Sequence, residues 1–237
     1  MEGRQPDYAE VFITLRKHKK KGKRDIIEYL VCNNAATLMY IINLGAIDLN
    51  PWSSRTASSE YPDYITIDLD PSDEDFSKAI QTALAVKELF DEHKLQSFVK
   101  TSGKTGLHLL IPCSGFNFLE ARIIGSLICD EIQRRLPSIT TRERSVDKRG
   151  NLLYVDDSQN DFADTIASAY SVRPYRIPTV STPLDWKEVK ESLDPAAFTI
   201  HTMKKRFEKK GDIFRPLFDA KLIESNNRQL KHLISKG

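Results

Sequence analysis

Apolar and polar positions alternate through YITIDLDP, residues 64–71, which ends at a proline. Side chains of a strand alternate between faces, so the isoleucines and leucine share one face, and Asp68 and Asp70 lie on the other. Two carboxylates about 6–7 Å apart on a half-buried surface repel each other and lose hydration. The pattern therefore predicts a strand with a cation beside these acids. The alternative is that they cap the following helix, for which Ser72, Asp73 and Asp75 are better placed.

Hydrophobic spacing predicts the other elements. Helical periodicity covers 75–94, 118–137 and a short buried helix over 34–45, which Asn34 caps and Gly45 ends. Strands are predicted at 97–101, 107–112 and 152–156, a helix near 183–193 and a helical tail over 215–237. Interleaved strands and helices predict a mixed α/β (α+β) fold, with mixed sheets packed by helices, as a single domain over residues 1–237.

Composition excludes several classes of protein. The hydrophobic fraction of 40% and the charged fraction of 29% are ordinary for a globular chain. The longest apolar runs are too short to cross a bilayer, and the N-terminus lacks a signal-peptide segment, which predicts a cytoplasmic protein without a membrane partner. Three isolated cysteines, Cys32, Cys113 and Cys129, are expected to be reduced core residues rather than metal ligands.

Positive charge is concentrated in one segment. The net charge is only +2, so anion binding must come from local patches. Residues 11–31 have the pattern of a β-hairpin with a basic tip, which predicts contacts with DNA phosphates. The predicted DNA-binding residues are Lys17, Lys19, Lys20, Lys21, Lys23 and Arg24. A simple solvated hairpin tip is the alternative.

A third carboxylate ends the predicted strand at 152–156. Asp156 can join Asp68 and Asp70, whereas Asp157 faces the other way on an extended strand. Three carboxylates at strand ends offer the hard oxygen ligands that Mg²⁺ or Mn²⁺ requires, and two such ions can clamp a phosphoryl transfer. These acids are the predicted catalytic and metal-binding residues. Carboxylates alone do not distinguish a polymerase from a nuclease or a phosphatase.

The segment KTSGKTGLHLL, residues 100–110, predicts a cradle for a triphosphate. Its glycines let backbone N–H groups approach an anion, Ser102 and Thr105 add hydroxyls, Lys104 adds charge, and His108 opens the next strand. It is not a Walker P-loop, because it enters a strand and lacks that spacing. A satisfied, partly buried histidine is the alternative for His108.

Several motifs in order resemble a known family. They are YLVCNNAATLMYIINLGAIDLNPW, DYITIDLDP, SFVKTSGKTGLHLLIP, YVDDSQN, SAYSVRP, STPLDWKEV and LDPAAFTI, which together extend over most of the chain. They resemble the polymerase domain of non-homologous end-joining ligase D, within the archaeo-eukaryotic primase superfamily. The resemblance implies a primase-like catalytic core and a DNA-directed nucleotidyltransferase.

The resemblance also implies residue roles. Asp68, Asp70 and Asp156 match the aspartates that bind the metal pair. Ser102 and His108 match residues that contact the incoming nucleotide, and Arg173 matches an arginine that contacts its phosphates. Relative to the family pattern, the lysine of the second motif comes one residue early, as Lys104, and Thr105 stands in its usual place. The family's N-terminal segment with further basic residues is expected to be absent.

The predicted function is nucleotide addition, with a preference for ribonucleotides, to DNA 3′ ends or gaps in double-strand-break repair. The expected cofactors are two Mn²⁺ or Mg²⁺ ions. The expected partners are DNA ends or gapped DNA, nucleoside triphosphates, Ku and an ATP-dependent DNA ligase. Two alternatives remain open: a stand-alone primase or primase-polymerase, and a catalytically degenerate module that binds DNA ends.

Overall fold

The computed structural model describes residues 12–20 and 23–235 of the chain. Its backbone contacts cluster into two compact units, Met1–Ile47 and Asp48–Gly237. In the first unit, β1 (Phe12–Lys20) pairs antiparallel with β2 (Lys23–Leu30), which confirms the predicted hairpin. The helix α1 (Ala35–Asn43) follows. The single domain over 1–237 stays a prediction.

The ends of α1 agree with the sequence pattern, but its burial does not. The Asn34 side chain accepts a hydrogen bond from the Thr37 N–H at 2.8 Å, and Gly45 follows the helix with a φ of +85°. Thr37 is the buried residue of α1, whereas Leu38 and Met39 are exposed, so the prediction of a buried helix is wrong. An apolar stripe shows which face a helix is able to bury and does not supply the surface that covers it.

The second unit is built on a mixed six-stranded sheet. In chain order its strands are β3 (Tyr64–Pro71), β4 (Phe98–Thr101), β5 (Leu107–Pro112), β6 (Thr140–Thr141) and β7 (Leu153–Asp156). A small pair, β8 (Val172–Arg173) and β9 (Thr179–Val180), comes next, and β10 (Pro183–Leu184) returns to the sheet. The spatial order is β10-β4-β5-β3-β7-β6, with β6 and β7 parallel and the other neighbours antiparallel.

Helices cover one face of this sheet. They are α2 (Phe76–Glu92), α3 (Phe118–Arg135) and, later in the chain, α5 (Ala220–Ile234). Another helix, α4 (Ile200–Lys210), has no buried residue and contacts β9. Ile65, Ile67 and Leu69 of β3 are fully buried and belong to one core cluster with apolar residues of α2 and α3. The predicted alternation is therefore confirmed, and the other face of β3 is polar. Asp75 caps α2, so Asp68 and Asp70 have no capping role.

Two further predictions are wrong. Residues 183–193 form a strand and one 3₁₀ turn, Trp186–Glu188, because β10 pairs with β4 and removes the first residues of the predicted helix. Cys32 is exposed, whereas Cys113 and Cys129 are buried as expected.

Among the described residues, no helix is both long enough and apolar enough to cross a membrane.

Candidate active site

Four ionisable side chains form a row across adjacent strands. Lys100 of β4 stands opposite His108 of β5, His108 stands opposite Asp68 of β3, and Asp68 stands opposite Asp156 of β7. Opposed residues of antiparallel strands have Cβ atoms about 4.5–5.5 Å apart. Asp70 lies two residues along the same face of β3. The sheet register thus brings four predicted residues together and adds Lys100, which the sequence analysis did not single out.

Asp68 occupies the centre of this row. Its Oδ1 lies 3.5 Å from His108 Nε2, and its Oδ2 lies 3.4 Å from Gln159 Nε2. Burial raises the pKa of Asp68 to about 7, and the negative charges of Asp70 and Asp156 add to the rise. The repulsion predicted from the alternating pattern is therefore present, and it is concentrated on this carboxyl group.

Asp156 has a different environment. It accepts hydrogen bonds from the Ser158 N–H at 2.9 Å, the Ser158 hydroxyl at 2.8 Å, Gln159 Nε2 at 3.0 Å and the Tyr154 hydroxyl at 3.1 Å. Burial alone would raise the pKa of Asp156, but the hydrogen bonds from Ser158, Gln159 and Tyr154 outweigh it and lower the pKa. Asp156 is therefore held as a carboxylate beside the more easily protonated Asp68.

Asp70 faces an arginine that the sequence analysis missed. Burial raises the pKa of Asp70, and the charge of Arg149, whose Nη1 lies 3.7 Å from Asp70 Oδ2, opposes that rise. Arg149 is only 8% exposed, its Nε donates to the Glu143 carbonyl at 2.8 Å, and its guanidinium lies 3.8 Å from the Tyr154 ring centroid. An arginine before the strand of Asp156 carries no recognisable motif, so only the fold reveals it.

Asp157 points away from this group. Its carboxylate pairs with Arg142 Nη1 at 2.7 Å, on the side away from the row. The predicted difference in direction between Asp156 and Asp157 agrees with these partners. Asp157 is thus part of a separate, partly buried ion pair.

The three aspartates are the kind of ligand that a divalent metal ion prefers, but their side chains are not arranged as a closed metal site. All are hard oxygen donors on one face, and burial, followed by the charges of Asp70 and Asp156, raises the pKa of Asp68, as expected where a cation would relieve repulsion. Across residues 12–20 and 23–235, however, no group of three or more His, Cys, Asp or Glu residues is positioned to hold a metal ion. Protein donors occupy the oxygens of Asp156 instead.

The loop between β4 and β5 lies beside the row. Ser102 Oγ accepts hydrogen bonds from the N–H groups of Lys104 and Gly106, both at 3.1 Å, and so holds the turn. A side chain at Gly106 would overlap the Leu69 carbonyl, and one at Gly103, where φ is +76°, would overlap Arg173. Both glycines therefore permit close approach, although the predicted contacts of Ser102, Lys104 and Thr105 with a nucleotide stay predictions.

His108 is buried, as the alternative interpretation predicted. Its ring lies between two ionisable side chains, Lys100 on the Nδ1 side and Asp68 on the Nε2 side. Its Nδ1 lies 2.7 Å from Lys100 Nζ. Burial, followed by the charges of Lys100 and Arg173, lowers the pKa of His108 well below its ordinary value, so the ring is neutral. Burial also lowers the pKa of Lys100 to about 7, while Asp68 opposes that change. Only an isolated lysine in the apolar strand SFVKT hinted at this partner.

Arg173 lies on β8 at the other side of the glycine loop. Its Nη1 lies 3.1 Å from both Asp48 Oδ1 and Asn50 Oδ1. Among the described atoms its buried Nε has no hydrogen-bond partner. The guanidinium is thus positioned next to Gly103 with one N–H group available, and its predicted contact with phosphates stays a prediction.

A groove opens beside Asp156. It has a volume of about 340 Å³, and its lining includes Arg122, Arg142 and Arg144, the carboxylates of Asp156 and Asp157, and the apolar side chains of Leu119 and Ile123. Arg144 is exposed. The sequence analysis missed this arginine lining, because its members come from separate parts of the chain.

The basic hairpin belongs to the unit Met1–Ile47. Lys17, Lys19 and Lys20 lie on β1, and Lys23 and Arg24 lie on β2. Lys21 lies outside the described residues. The predicted role of these residues in DNA binding therefore stays a prediction.

Sequence comparison relates the chain to one family. A family model described as "LigD, primase-polymerase domain" matches residues 2–214. The bifunctional non-homologous end joining protein LigD of Bacillus subtilis is 37% identical over 219 residues, covering 91% of this chain and 34% of that protein. The multifunctional LigD of Pseudomonas aeruginosa is 28% identical over 169 residues, covering 70% of this chain and 20% of that protein. The chain thus spans about a third or less of these relatives.

Structural comparison supports the fold. The polymerase domain of Mycobacterium tuberculosis ligase D, solved in complex with DNA, superposes with a TM-score of 0.78. The two sequences are 23% identical, and the match covers 91% of this chain and 76% of that one. The predicted mixed α/β, primase-like core is therefore confirmed.

Proposed function

We propose that this chain, which belongs to the LigD primase-polymerase domain family, adds nucleotides to DNA 3′ ends or gaps during end joining. The observation that carries the proposal is the row of Lys100, His108, Asp68 and Asp156 across four neighbouring strands. It combines acidic oxygens, which suit a metal-bound phosphate, with a neutral imidazole beside them. Phosphoryl-transfer sites use metal-binding oxygens together with hydrogen-bond donors to the phosphate oxygens.

In the proposed reaction, the 3′-hydroxyl of a DNA strand loses its proton to water, and its oxygen bonds to the α-phosphorus of a nucleoside triphosphate. The bond from that phosphorus to the oxygen bridging the β-phosphate breaks, and pyrophosphate leaves. Asp68, Asp70 and Asp156 would hold two Mg²⁺ or Mn²⁺ ions, which supply charge stabilisation for the phosphoryl group.

The chain's own residues have separate tasks. His108 Nε2 faces the acids and donates a hydrogen bond to a phosphate oxygen. Arg173 and Lys104 provide positive charge on either side of the glycine loop, and the backbone N–H groups of that loop approach the triphosphate. The arginine-lined groove beside Asp156 accepts phosphates of the DNA.

The finer parts of the proposal concern substrates and partners. Ribonucleotides are preferred because the Ser102 hydroxyl, which already accepts two backbone hydrogen bonds, can donate its hydrogen to a 2′-hydroxyl. The DNA substrate is an end or a gap, and the partners are Ku and an ATP-dependent DNA ligase. The hairpin lysines add contacts with the DNA backbone.

A primer-extension experiment tests the proposal. The chain is incubated with a recessed 3′ end or with unprimed template, with ribonucleotides or deoxyribonucleotides, and with Mn²⁺, Mg²⁺ or a chelator. We expect addition at the recessed end only, faster with ribonucleotides, and none in chelator. Product from unprimed template would instead indicate a stand-alone primase, and DNA-end binding without extension would indicate a binding module.

A further inference from the structure

Lys100 is a buried lysine that the proposed reaction does not use directly. It is 2% exposed, and its Nζ lies 2.7 Å from His108 Nδ1 and 2.6 Å from Ser181 Oγ. Lysine is almost never fully buried unless its ammonium group is paired. Here the two close partners are a ring nitrogen and a hydroxyl oxygen rather than a carboxylate.

The hydrogen bonds around Lys100 run in one direction. The Ser181 hydroxyl donates to the Thr101 carbonyl at 2.8 Å, so its oxygen is left to accept from Lys100. A lysine ammonium has only donors, and therefore His108 Nδ1 must be the acceptor of the second bond. A neutral amine has a lone pair that could accept from an Nδ1–H group, so this order belongs to the protonated lysine.

The direction of these bonds determines the state of the imidazole ring. In a neutral histidine one ring nitrogen carries the proton and the other accepts. Because Nδ1 accepts from Lys100, the proton of His108 lies on Nε2. That nitrogen faces Asp68 Oδ1 at 3.5 Å, at the acidic part of the row.

We infer that Lys100, as an ammonium group, is a positioning residue that fixes the tautomer of His108, so that Nε2–H is a donor toward a substrate oxygen. This inference rests on the proposed function for the identity of the substrate, a nucleoside triphosphate. It also implies that Nε2 of His108 is not a metal ligand, since a protonated nitrogen has no free lone pair. Lys100 acts through the ring of His108, which it contacts at Nδ1.

The tautomer can be measured without any activity. Long-range ¹H–¹⁵N correlation spectra of the full chain distinguish a protonated Nε2 from a protonated Nδ1, and the His108→Asn variant assigns the signal among the five histidines. At a pH below about 7, where Lys100 carries its proton, we expect the wild-type ring to carry its proton on Nε2. A wild-type ring protonated on Nδ1 would overturn the inference, whether or not the chain extends primers.

Two variants test the role of the lysine. Lys100→Met keeps the length of the side chain and removes the donor, whereas Ser181→Ala keeps the bond between Lys100 and His108. We expect Lys100→Met to shift the ring toward Nδ1–H or a mixture and to lower kcat/KM for nucleotide addition at least about 10-fold, the scale of one hydrogen bond to a charged group. Ser181→Ala should leave the tautomer unchanged.

A double variant separates positioning from general damage. If Lys100 acts through His108, Lys100→Met should cost little further activity in the His108→Asn background. Equal fold losses in both backgrounds, or an unchanged tautomer in a folded Lys100→Met protein, would contradict the inference. Should Lys100→Met fail to fold, the wild-type spectrum still decides. A wild type that fails to extend primers would contradict the proposed function but not the inference about the His108 tautomer.

Discussion

Asp68→Asn should stabilise the metal-free protein while it removes activity. Asp68 stands opposite Asp156 and shares a face with Asp70, and burial together with these charges raises its pKa to about 7 from an ordinary 3.8. Asparagine keeps the shape and the Oδ1 acceptor that faces His108, and it removes one of three crowded charges. Asp68→Asn is therefore expected to lose activity and to gain stability in the absence of metal.

The magnitude and sign follow from proton linkage. The folded state binds the Asp68 proton more tightly than the unfolded state does, so stability is lost as pH rises from about 4 through about 7. Three pH units at about 1.36 kcal/mol each give an upper limit of about 4 kcal/mol at pH 8. A gain of even 1 kcal/mol in the variant would raise Tm by about 2–4 °C in a chain of this size.

Thermal melts in chelator at pH 8, 6.5 and 5 measure this effect. We expect Asp68→Asn to melt above the wild type at pH 8, with an advantage that shrinks as pH falls. Asp147→Asn, which neutralises an exposed aspartate, should show no such trend. In millimolar Mn²⁺ the wild type should gain more Tm than the variant, because ligand binding stabilises the folded state. A variant that melts below the wild type at pH 8 would contradict the claim that Asp68 is repelled by Asp70 and Asp156.

Three other predictions follow from the site and the hairpin. Gly106→Ala should destabilise the protein by about 1–3 kcal/mol in chemical denaturation, because its Cβ would overlap the Leu69 carbonyl. Neutralising Lys19 and Lys20 should weaken DNA binding about equally on all sequences and reduce the slope of log affinity against log salt by about 0.9 for each duplex phosphate that the variant no longer neutralises. Ser102→Ala should lower the preference for ribonucleotides about 2- to 12-fold in competition assays, since one hydrogen bond contributes about 0.5–1.5 kcal/mol.

Each of these has an outcome that contradicts it. Unchanged stability of Gly106→Ala would mean that the loop does not lie against β3. An unchanged salt slope would make the hairpin a solvated tip. Equal slowing with both kinds of nucleotide would mean that Ser102 acts only by holding its turn through Lys104 and Gly106.

Local patterns predicted the local structure well. The alternation in β3 and the caps at Asn34 and Asp75 depend on residues within a few positions of each other, and the structure confirms them. The helix predicted over 183–193 failed because pairing of β10 with β4, a contact distant in sequence, determines that segment. Propensity is a weak prior where such tertiary contacts compete.

The site was predictable in part for the same reason. Asp68, Asp70 and Asp156 were recognised from strand alternation and from resemblance to a family. The position of Lys100 opposite His108, and that of Arg149 beside Asp70, depend on sheet register and on a turn that no local pattern encodes. Register requires the partner strands to be known, and a shift by one residue would move every side chain to the other face.

Single-nucleotide addition by two neighbouring variants tests the central claim most directly. Asp156→Asn alters the carboxylate opposite Asp68, whereas Asp157→Asn alters one that pairs with Arg142 on the other side. With both proteins kept below their Tm, we expect Asp156→Asn to lose at least about 100-fold in rate, since several kcal/mol of charge stabilisation is lost. Asp157→Asn should remain largely active. An active Asp156→Asn beside an inactive Asp157→Asn would contradict the account.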